Sequence, residues 1–329
     1  MSVFDLLASS QPLFIGTCLV LGLLVGSFLN VVIYRVPIIL ERQWRQQCAE
    51  LQTPAVSAAD DAGPQADTVT GGHTHHSPHR DSGNPSATRT PERYDLVVPR
   101  SACPSCKAPI TALQNIPVLS YLFLRGRCAS CGARIGVRYP AVEALTGVLT
   151  AAVAWKYGFG WPTGAAIVLT WFLIALTFID LDHQLLPDSL TLPLVWLGLM
   201  LSLWGPQPGG VPVPVGEHAS IIGAMAGYLS LWSVYHLFRL LTGKEGMGYG
   251  DFKLFAALGA WLGWKMLLPI ILIAAAIGAV VGIGLIALRG RSQSSPIAFG
   301  PFLAMAGWLM LMFGPEIVNG YLGLYGQHL

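Results

Sequence analysis

The sequence predicts an all-α polytopic membrane protein with about eight transmembrane helices and a cytoplasmic loop domain. Two observations support this prediction. Hydrophobic residues make up 53% of the 329 positions and charged residues only 11%, whereas soluble globular domains contain about 25% charged residues. The apolar residues are also gathered into long runs, and a run of roughly 17–25 residues crosses a bilayer as a helix. An ordinary soluble domain is therefore excluded.

Eight apolar segments fit this standard, although some are short at their polar ends. The first follows residues 1–12, which contain no Lys or Arg. Because it is longer than a signal-peptide core and has no small-residue cleavage site, we interpret it as a retained span. The sixth is short, and if it joined the seventh, the later segments would change sides. The predicted spans are 13–34, 139–157, 163–181, 189–204, 219–241, 252–266, 267–288 and 297–313.

The distribution of positive charge predicts the orientation. Of the 19 Lys and Arg residues, 12 lie in the loop 35–138, which the positive-inside rule places in the cytoplasm. This topology accounts for the basic residues, so no nucleic-acid partner is predicted. Alternation of the spans places the connection 205–218 outside, and this connection has no Lys or Arg. Lys265 would also lie outside and is the single exception to the positive-inside rule. Four acidic residues then face the cytoplasm: Asp180, Asp182, Asp188 and Asp251.

Three regions follow from this topology: the first helix within 1–34, the cytoplasmic loop 35–138, and a domain of seven helices in 139–329. The loop contains an insert, residues 53–91, that is rich in Ser, Thr, Gly, Pro, Asp and Ala. Such a composition buries too little apolar surface to become ordered. Four histidines in the insert offer a possible metal site, but the composition favours a solvated linker. They are His73, His75, His76 and His79.

Four cysteines follow the insert, in a module that spans residues 101–134. They form two Cys-x-x-Cys pairs separated by 21 residues: Cys103, Cys106, Cys128 and Cys131. In a reducing compartment this pattern favours four thiolates around one structural Zn²⁺ over disulfides. A redox dithiol and unligated cysteines are the alternatives. The sequence therefore predicts a cytoplasmic zinc-binding loop domain. Cys18 and Cys48 have no partner at metal-binding spacing.

Two carboxylates at span ends are candidates for catalysis. Asp251 follows the glycines of residues 246–250, which allow a substrate backbone to approach, and Asp180 ends an apolar span on the same side. Two carboxylates in one low-dielectric site share a proton, the arrangement with which aspartic proteases activate water. The alternative is that Asp180 and Asp182 cap a helix end and meet water. Asp188 is predicted to be the N-cap of the fourth span.

Several ordered motifs resemble those of the bacterial type 4 prepilin peptidases, which are Gly-x-Gly-Asp intramembrane aspartyl proteases. The resemblance covers nearly the whole chain outside the insert, and the number of ordered motifs makes it specific. The motifs are Gly26-Ser27-Phe28-Leu29-Asn30-Val31-Val32, the paired Cys-x-x-Cys segments, Arg138-Tyr139-Pro140 with Glu143, Ile179-Asp180, Leu186-Pro187-Asp188, Gly248-Tyr249-Gly250-Asp251-Phe252-Lys253 and Phe299-Gly300-Pro301.

The resemblance implies a bifunctional enzyme of the bacterial inner membrane with its active site on the cytoplasmic side. Such an enzyme cleaves the leader of type IV prepilins and type II secretion pseudopilins after a glycine. It then N-methylates the new terminus with S-adenosylmethionine. The family's catalytic pair corresponds to Asp180 and Asp251, whereas Asp182 and Asp188 match other positions. No residue for the methyl donor is assigned, and the remaining partner implied is membrane lipid.

Two other functions compete with this interpretation. In an ion- or proton-coupled transporter, Asp180 and Asp251 would be relay carboxylates, but these belong near the bilayer midplane beside broken helices. In an inactive zinc-ribbon scaffold, both acids would be dispensable. The pairs Gly22-x-x-x-Gly26 and Gly278-x-x-x-Gly282 are expected to pack helices within the fold.

Overall fold

A computed structural model describes residues 3–52, 94–111, 114, 116–206, 211–244, 246–289 and 298–326. Within these ranges the chain is helical, with isolated β-bridges but no β-strand. The insert 53–91 lies outside them. The helices are α1 Val3–Ser9, α2 Gln11–Gln52, α3 Leu119–Phe123, α4 Arg138–Tyr157, α5 Trp161–His183, α6 Asp188–Ser202, α7 Glu217–Thr242, α8 Tyr249–Leu262, the 3-10 helix Trp264–Met266, α9 Leu267–Arg289 and α10 Gly300–Gly326.

Each predicted span coincides with one helix, α2 or one of α4 to α10, which confirms the all-α membrane architecture. Within the described residues, five stretches are long and apolar enough to cross a membrane. They are Gln11–Leu51, Trp161–His183, Glu217–Thr242, Trp264–Ala287 and Gly300–Gly320. The helices α4, α6 and α8 do not reach this standard. At 14 residues, α8 is about 21 Å long, less than the roughly 30 Å of a bilayer core.

The chain forms two compact units. One comprises Ile38–Pro99, and the other comprises Met1–Pro37 together with Arg100–Leu329. Helix α2 begins in the second of these and continues to Gln52, well beyond the predicted span 13–34. Its last turns are rich in Gln, Arg, Glu and Leu, which favour helix even where they are too polar for lipid. Hydropathy therefore located the apolar part of α2 but not the end of the helix.

The sixth and seventh spans are separate helices. Helix α8 ends before Gly263, which has a φ of +80° that L-residues with a side chain rarely adopt. The amide of Gly263 donates to the carbonyl of Gly259, and the 3-10 turn then leads into α9. The break agrees with the prediction that the sixth and seventh segments are two helices, on which the predicted alternation of sides depends.

Helix α8 is the centre of the larger unit. Every side chain from Leu254 to Leu262 is buried, a pattern typical of a helix enclosed by others rather than facing lipid. It packs against α6, α7, α9 and α10. On the α6 side, the indole of Trp261 donates to the carbonyl of Leu194 at 2.8 Å, and on the α7 side Ser220 donates to the carbonyl of Ala260 at 2.7 Å. Because α8 is surrounded by other helices rather than by lipid, it does not need the length of a bilayer core.

Glycines set the closest helix contacts. A Cβ at Gly259 on α8 would lie 2.1 Å from the carbonyl oxygen of Gly223 on α7, and one at Gly227 would lie 2.6 Å from that of Phe255. Gly22 and Gly26 likewise contact α4, where a Cβ at Gly26 would lie 2.7 Å from the Cα of Glu143. Small residues allow this approach of backbones, so the first predicted glycine pair does pack helices within the fold.

A proline in α10 creates an unpaired carbonyl that α4 satisfies. Pro315 has no amide hydrogen, so the carbonyl of Leu311, four residues earlier, loses its helical donor. The hydroxyl of Tyr157 donates to this carbonyl at 2.5 Å. Next to it, Lys156 donates to the carbonyl of Met312 and, at 2.8 Å, to the carboxylate of Glu316. The last turns of α4 and α10 are thereby joined.

We expect Tyr157→Phe to lower the free energy of unfolding by about 1–3 kcal/mol, because it leaves a partly buried carbonyl without a donor. Chemical unfolding of the detergent-solubilised protein measures the change. Tyr34→Phe makes the same substitution at a residue that is 60% exposed and is expected to have little effect. Equal destabilisation by the two variants would contradict a role for the Tyr157 hydroxyl.

Candidate functional site

Asp180 lies in the last turn of α5 and follows the largely apolar stretch 164–179 of this helix. Only 5% of the surface of Asp180 is exposed, and its Oδ2 atom has no hydrogen-bond partner among the described residues. The helix ends at His183, and the next residue, Gln184, has a left-handed backbone (φ +52°) and donates its amide to the carbonyl of Asp180. A buried carboxylate is thus held immediately before the short connection to α6.

Asp251 lies in the first turn of α8 and is 7% exposed. The backbone amide of Gly248 donates to its carboxylate. Gly250 allows the start of α8 to approach the α5–α6 connection, since a Cβ there would lie 2.6 Å from the Cβ of Leu186. The glycine before Asp251 therefore has a packing role, beyond the access for a substrate expected from the sequence.

The structure brings Asp180 and Asp251 to one cavity of about 480 Å³. The two carboxylates are close enough to interact electrostatically. The cavity is lined by Asp180, Gln184, Leu185, Leu186, Asp188, Gly246, Met247, Gly248, Tyr249, Gly250, Asp251, Lys253, Ala298 and Phe299. A larger groove of about 650 Å³ runs along α2 between Pro12 and Leu24, but its lining has no titratable side chain. Acid–base chemistry therefore belongs to the smaller cavity.

Two neighbouring carboxylates are paired with basic side chains. Asp188 accepts a hydrogen bond from Lys253 at 2.5 Å, and Asp182 accepts one from Arg138 at 2.5 Å. Both acids are at least 30% exposed, whereas Asp180 and Asp251 are buried. Among the described residues near the cavity, the buried carboxylates for which no salt bridge is seen are thus the two that the sequence singled out.

The predicted N-cap role of Asp188 is wrong. Helix α6 begins at Asp188 itself, its N-cap is Pro187, and no side-chain cap is present. The carbonyl of Pro187 accepts the first helical amides, including that of Thr191, while the carboxylate of Asp188 turns to Lys253. The sequence analysis did not assign Lys253 to the site, although its position two residues after Asp251 could have indicated it.

The second predicted group, the four cysteines, also comes together. The four sulfur atoms all lie within 4.8 Å of one another; they belong to Cys103, Cys106, Cys128 and Cys131. The Sγ atoms of Cys103 and Cys131 are 3.9 Å apart. Four thiolates at about 2.3 Å from a tetrahedral metal ion would be about 3.8 Å apart. The cluster therefore fits a metal ion.

The two cysteine pairs form matching turns. In each, the amide of the first cysteine donates to a carbonyl five residues later, and the residue after the second cysteine has a positive φ: Lys107 at +59° and Gly132 at +69°. The amides of Cys106 and Ser105 face the thiol of Cys103 and lower its pKa to about 6, whereas the neighbouring thiols raise the pKa of Cys131 to about 11. The turn thus favours the thiolate of Cys103, which is the form that binds a metal ion.

Glu143 connects the cysteine loop to the helices. Its Oε2 accepts a hydrogen bond from the amide of Val118, just before α3, at 2.8 Å, and its carboxylate also interacts with Ser27 of α2. In addition, Asn30 on α2 donates to the carbonyl of Tyr139 on α4 at 3.1 Å. These contacts give a structural role to residues of the Gly26–Val32 and Arg138–Glu143 motifs.

Both halves of the chain match models of known protein families. The model of the bacterial Peptidase A24 N-terminal domain matches residues 20–157, and that of the type IV leader peptidase family matches residues 167–283. No solved structure matches significantly.

Several relatives carry the name prepilin leader peptidase/N-methyltransferase. One from Aeromonas salmonicida is 52% identical over 317 residues, covering 96% of this chain and 97% of its own. Another from Pseudomonas aeruginosa is 45% identical over 99% of both chains, and one from Neisseria gonorrhoeae is 47% identical over 91% of both. The similarity thus extends over both the cavity and the cysteine cluster.

Proposed function

The chain belongs to the type IV leader peptidase family, and we propose that Asp180 and Asp251 are the catalytic pair with which it cleaves prepilins. It is an enzyme with two activities, prepilin leader peptidase and N-methyltransferase. A single observation supports the proposed pair: these two buried carboxylates line one cavity, which is formed by the Asp180–Asp188 connection and the Gly-x-Gly-Asp segment.

The pair would act directly on water. One carboxylate accepts a proton from a water molecule, whose oxygen bonds to the carbonyl carbon of the scissile peptide. The other carboxyl group, protonated, donates a hydrogen bond to the carbonyl oxygen. The peptide C–N bond then breaks as its nitrogen receives a proton, and no covalent enzyme intermediate is needed. Because Asp182 and Asp188 are engaged with Arg138 and Lys253, they are not assigned this role.

The transporter alternative is not supported. The relatives are named as peptidases and methyltransferases. The two acids also lie at helix ends, Asp180 in the last turn of α5 and Asp251 in the first turn of α8, rather than beside a helix broken at mid-length, where relay carboxylates are found.

The protein is a multi-pass inner-membrane protein, and we propose that the cavity opens on its cytoplasmic side. The support is the concentration of 12 of the 19 basic residues in 35–138, together with the break at Gly263 that keeps α8 and α9 separate. Pseudopilins are proposed as further substrates, and lipid as the surroundings of the apolar helices.

S-adenosylmethionine is the proposed methyl donor. The described residues contain no strand–turn–helix unit of the dinucleotide-binding kind, so no residue is assigned to it. When bound, it would supply an electrophilic methyl group to the amine exposed by cleavage. The cleavage step therefore has to come first.

Zn²⁺ is the proposed occupant of the four-cysteine cluster, with a structural role. We expect Cys103→Ser to reduce bound zinc from about one ion per chain to none, because a tetrahedral site that loses one of four thiolates binds far more weakly. Metal analysis of the purified protein measures this. Cys48→Ser, at an exposed cysteine outside the cluster, is the control. Full zinc content in Cys103→Ser would refute the assignment.

The overall function is tested with purified enzyme in detergent, a prepilin and S-adenosylmethionine. Mass spectrometry of the product should show loss of the leader and the addition of one methyl group. Without the methyl donor, only the leader should be lost. Methylation of the uncleaved prepilin would contradict the proposed order of the two reactions.

A further inference from the structure

The start of α10 approaches the carboxylate of Asp180 more closely than a side chain would permit. Gly300 is the first residue of this helix and is buried. A Cβ built on it would lie 2.5 Å from Oδ2 of Asp180 and 3.2 Å from its Cγ. It would also lie 3.1 Å from Cδ1 of Leu186. Since unbonded heavy atoms do not approach to 2.5 Å in this way, only glycine fits here with Asp180 in its present position.

The backbone at the start of α10 also interacts with the Asp180 carboxylate. The amide of Gly300 is directed toward the Asp180 carboxylate, where it favours the charged form. As the first residue of α10 it has no partner within the helix for that amide, and the amides of Phe302 and Leu303 are taken by the carbonyl of Phe299. The positive end of a helix of 27 residues therefore faces a buried acid, an arrangement that favours a negative charge.

Ala298 and Phe299, the residues before Gly300, line the same cavity. The cavity thus has three walls: the α5–α6 connection, the Gly-x-Gly-Asp segment, and the start of α10. We propose that Gly300 is a positioning residue for peptide cleavage, one that holds the Asp180 carboxylate in register with Asp251 through its amide and its lack of a side chain. This inference rests on the proposed catalytic role of Asp180.

Gly300→Ala tests it, because the added methyl group must displace the carboxylate. A misplacement of about 1 Å lowers rates by about 10²-fold. We expect kcat for leader removal to fall by that order, with KM changed by less than about threefold. Methylation of a pilin whose leader has already been removed should be unchanged, which shows that the variant is folded.

Gly307→Ala is the matched control. It lies on the same helix, and its Cβ would lie 2.5 Å from Cδ2 of Leu258, an equal overlap with the end of a flexible side chain away from the cavity. If both variants lose peptide cleavage equally, the effect is one of packing and the inference is wrong. If Gly300→Ala keeps its kcat while Asp180→Asn is inactive, the inference also fails. Full activity in Asp180→Asn would instead refute the proposed catalytic pair.

A stability measurement keeps the inference testable if Gly300→Ala folds poorly. Asp180→Ala removes Oδ2 and Cγ, which lie 2.5 and 3.2 Å from the added methyl group, so Gly300→Ala should lower the melting temperature less in that background than in the wild type. Such a difference is the interaction energy of a double-mutant cycle. An equal decrease in both backgrounds would show that Asp180 is not the group that Gly300 accommodates.

Discussion

Asp251→Asn is expected to abolish leader removal while leaving the protein folded. Asparagine has nearly the same shape as aspartate, but it can neither take a proton from water nor donate one as an acid. General acid–base groups contribute about 10²–10⁴-fold to a rate, so cleavage should fall by at least that factor. The measurement is the rate of leader loss from a prepilin in detergent, followed by gel mobility or mass. Asp180→Asn is expected to behave in the same way.

The control for this result is Asp182→Asn. Asp182 lies two residues from Asp180, but it is exposed and paired with Arg138, and it does not line the cavity. We expect cleavage to stay within a few-fold of wild type, since exposed ion pairs contribute only about 0–1 kcal/mol. Methylation of an already cleaved pilin should be retained in all three variants. Undiminished cleavage by Asp251→Asn would rule out the paired-aspartate mechanism.

Gly259→Ala is expected to lose both leader removal and methylation, unlike Asp251→Asn, which should lose leader removal alone. The new Cβ would lie 2.1 Å from the carbonyl oxygen of Gly223, a backbone atom that cannot move aside without shifting α7. Overpacking of this kind costs about 1–3 kcal/mol or more. Because α8 is enclosed on all sides and carries Asp251, its displacement disturbs the cavity as well as the core. Thermal unfolding and both activity assays measure these effects.

Gly284→Ala is the corresponding control. Gly284 lies on α9, and a Cβ there would meet nothing within 4 Å. Alanine also has a helix propensity about 1 kcal/mol better than that of glycine, so this variant should be as stable as wild type or more so. Equal stability of Gly259→Ala and wild type would show that α7 and α8 are not held at the distance described here.

The sequence was sufficient to predict the eight apolar helices, although not α1, α3 or the polar end of α2, and to single out the candidate acids. An apolar run of bilayer length predicts a helix whatever it packs against, which is why α5, α7 and α9 lie close to the predicted spans. The interpretation of α8 and α9 as two helices also agrees with the structure, because Gly263 ends α8 through its own backbone conformation. The orientation is likewise predicted from the distribution of basic residues along the chain, without information on how the helices pack. These are local properties of the chain.

Contacts between distant residues required the tertiary structure. The predicted N-cap at Asp188 was wrong because Lys253, 65 residues away, pairs with its carboxylate. Nothing local indicates that Gly250 contacts Leu186, or that Gly300 contacts Asp180. The convergence of Asp180 and Asp251 depends on those contacts.

The sequence by itself thus determined which apolar segments are helical and which acids are candidates, and only the tertiary structure decided that the acids share a cavity. The physical reason is that hydropathy and backbone preference act over neighbouring residues, whereas the position of a buried carboxylate is set by the backbones that approach it. At this site the approach occurs where Gly250 and Gly300 lack side chains. A glycine in a sequence does not reveal which distant atom occupies the space that its missing Cβ leaves.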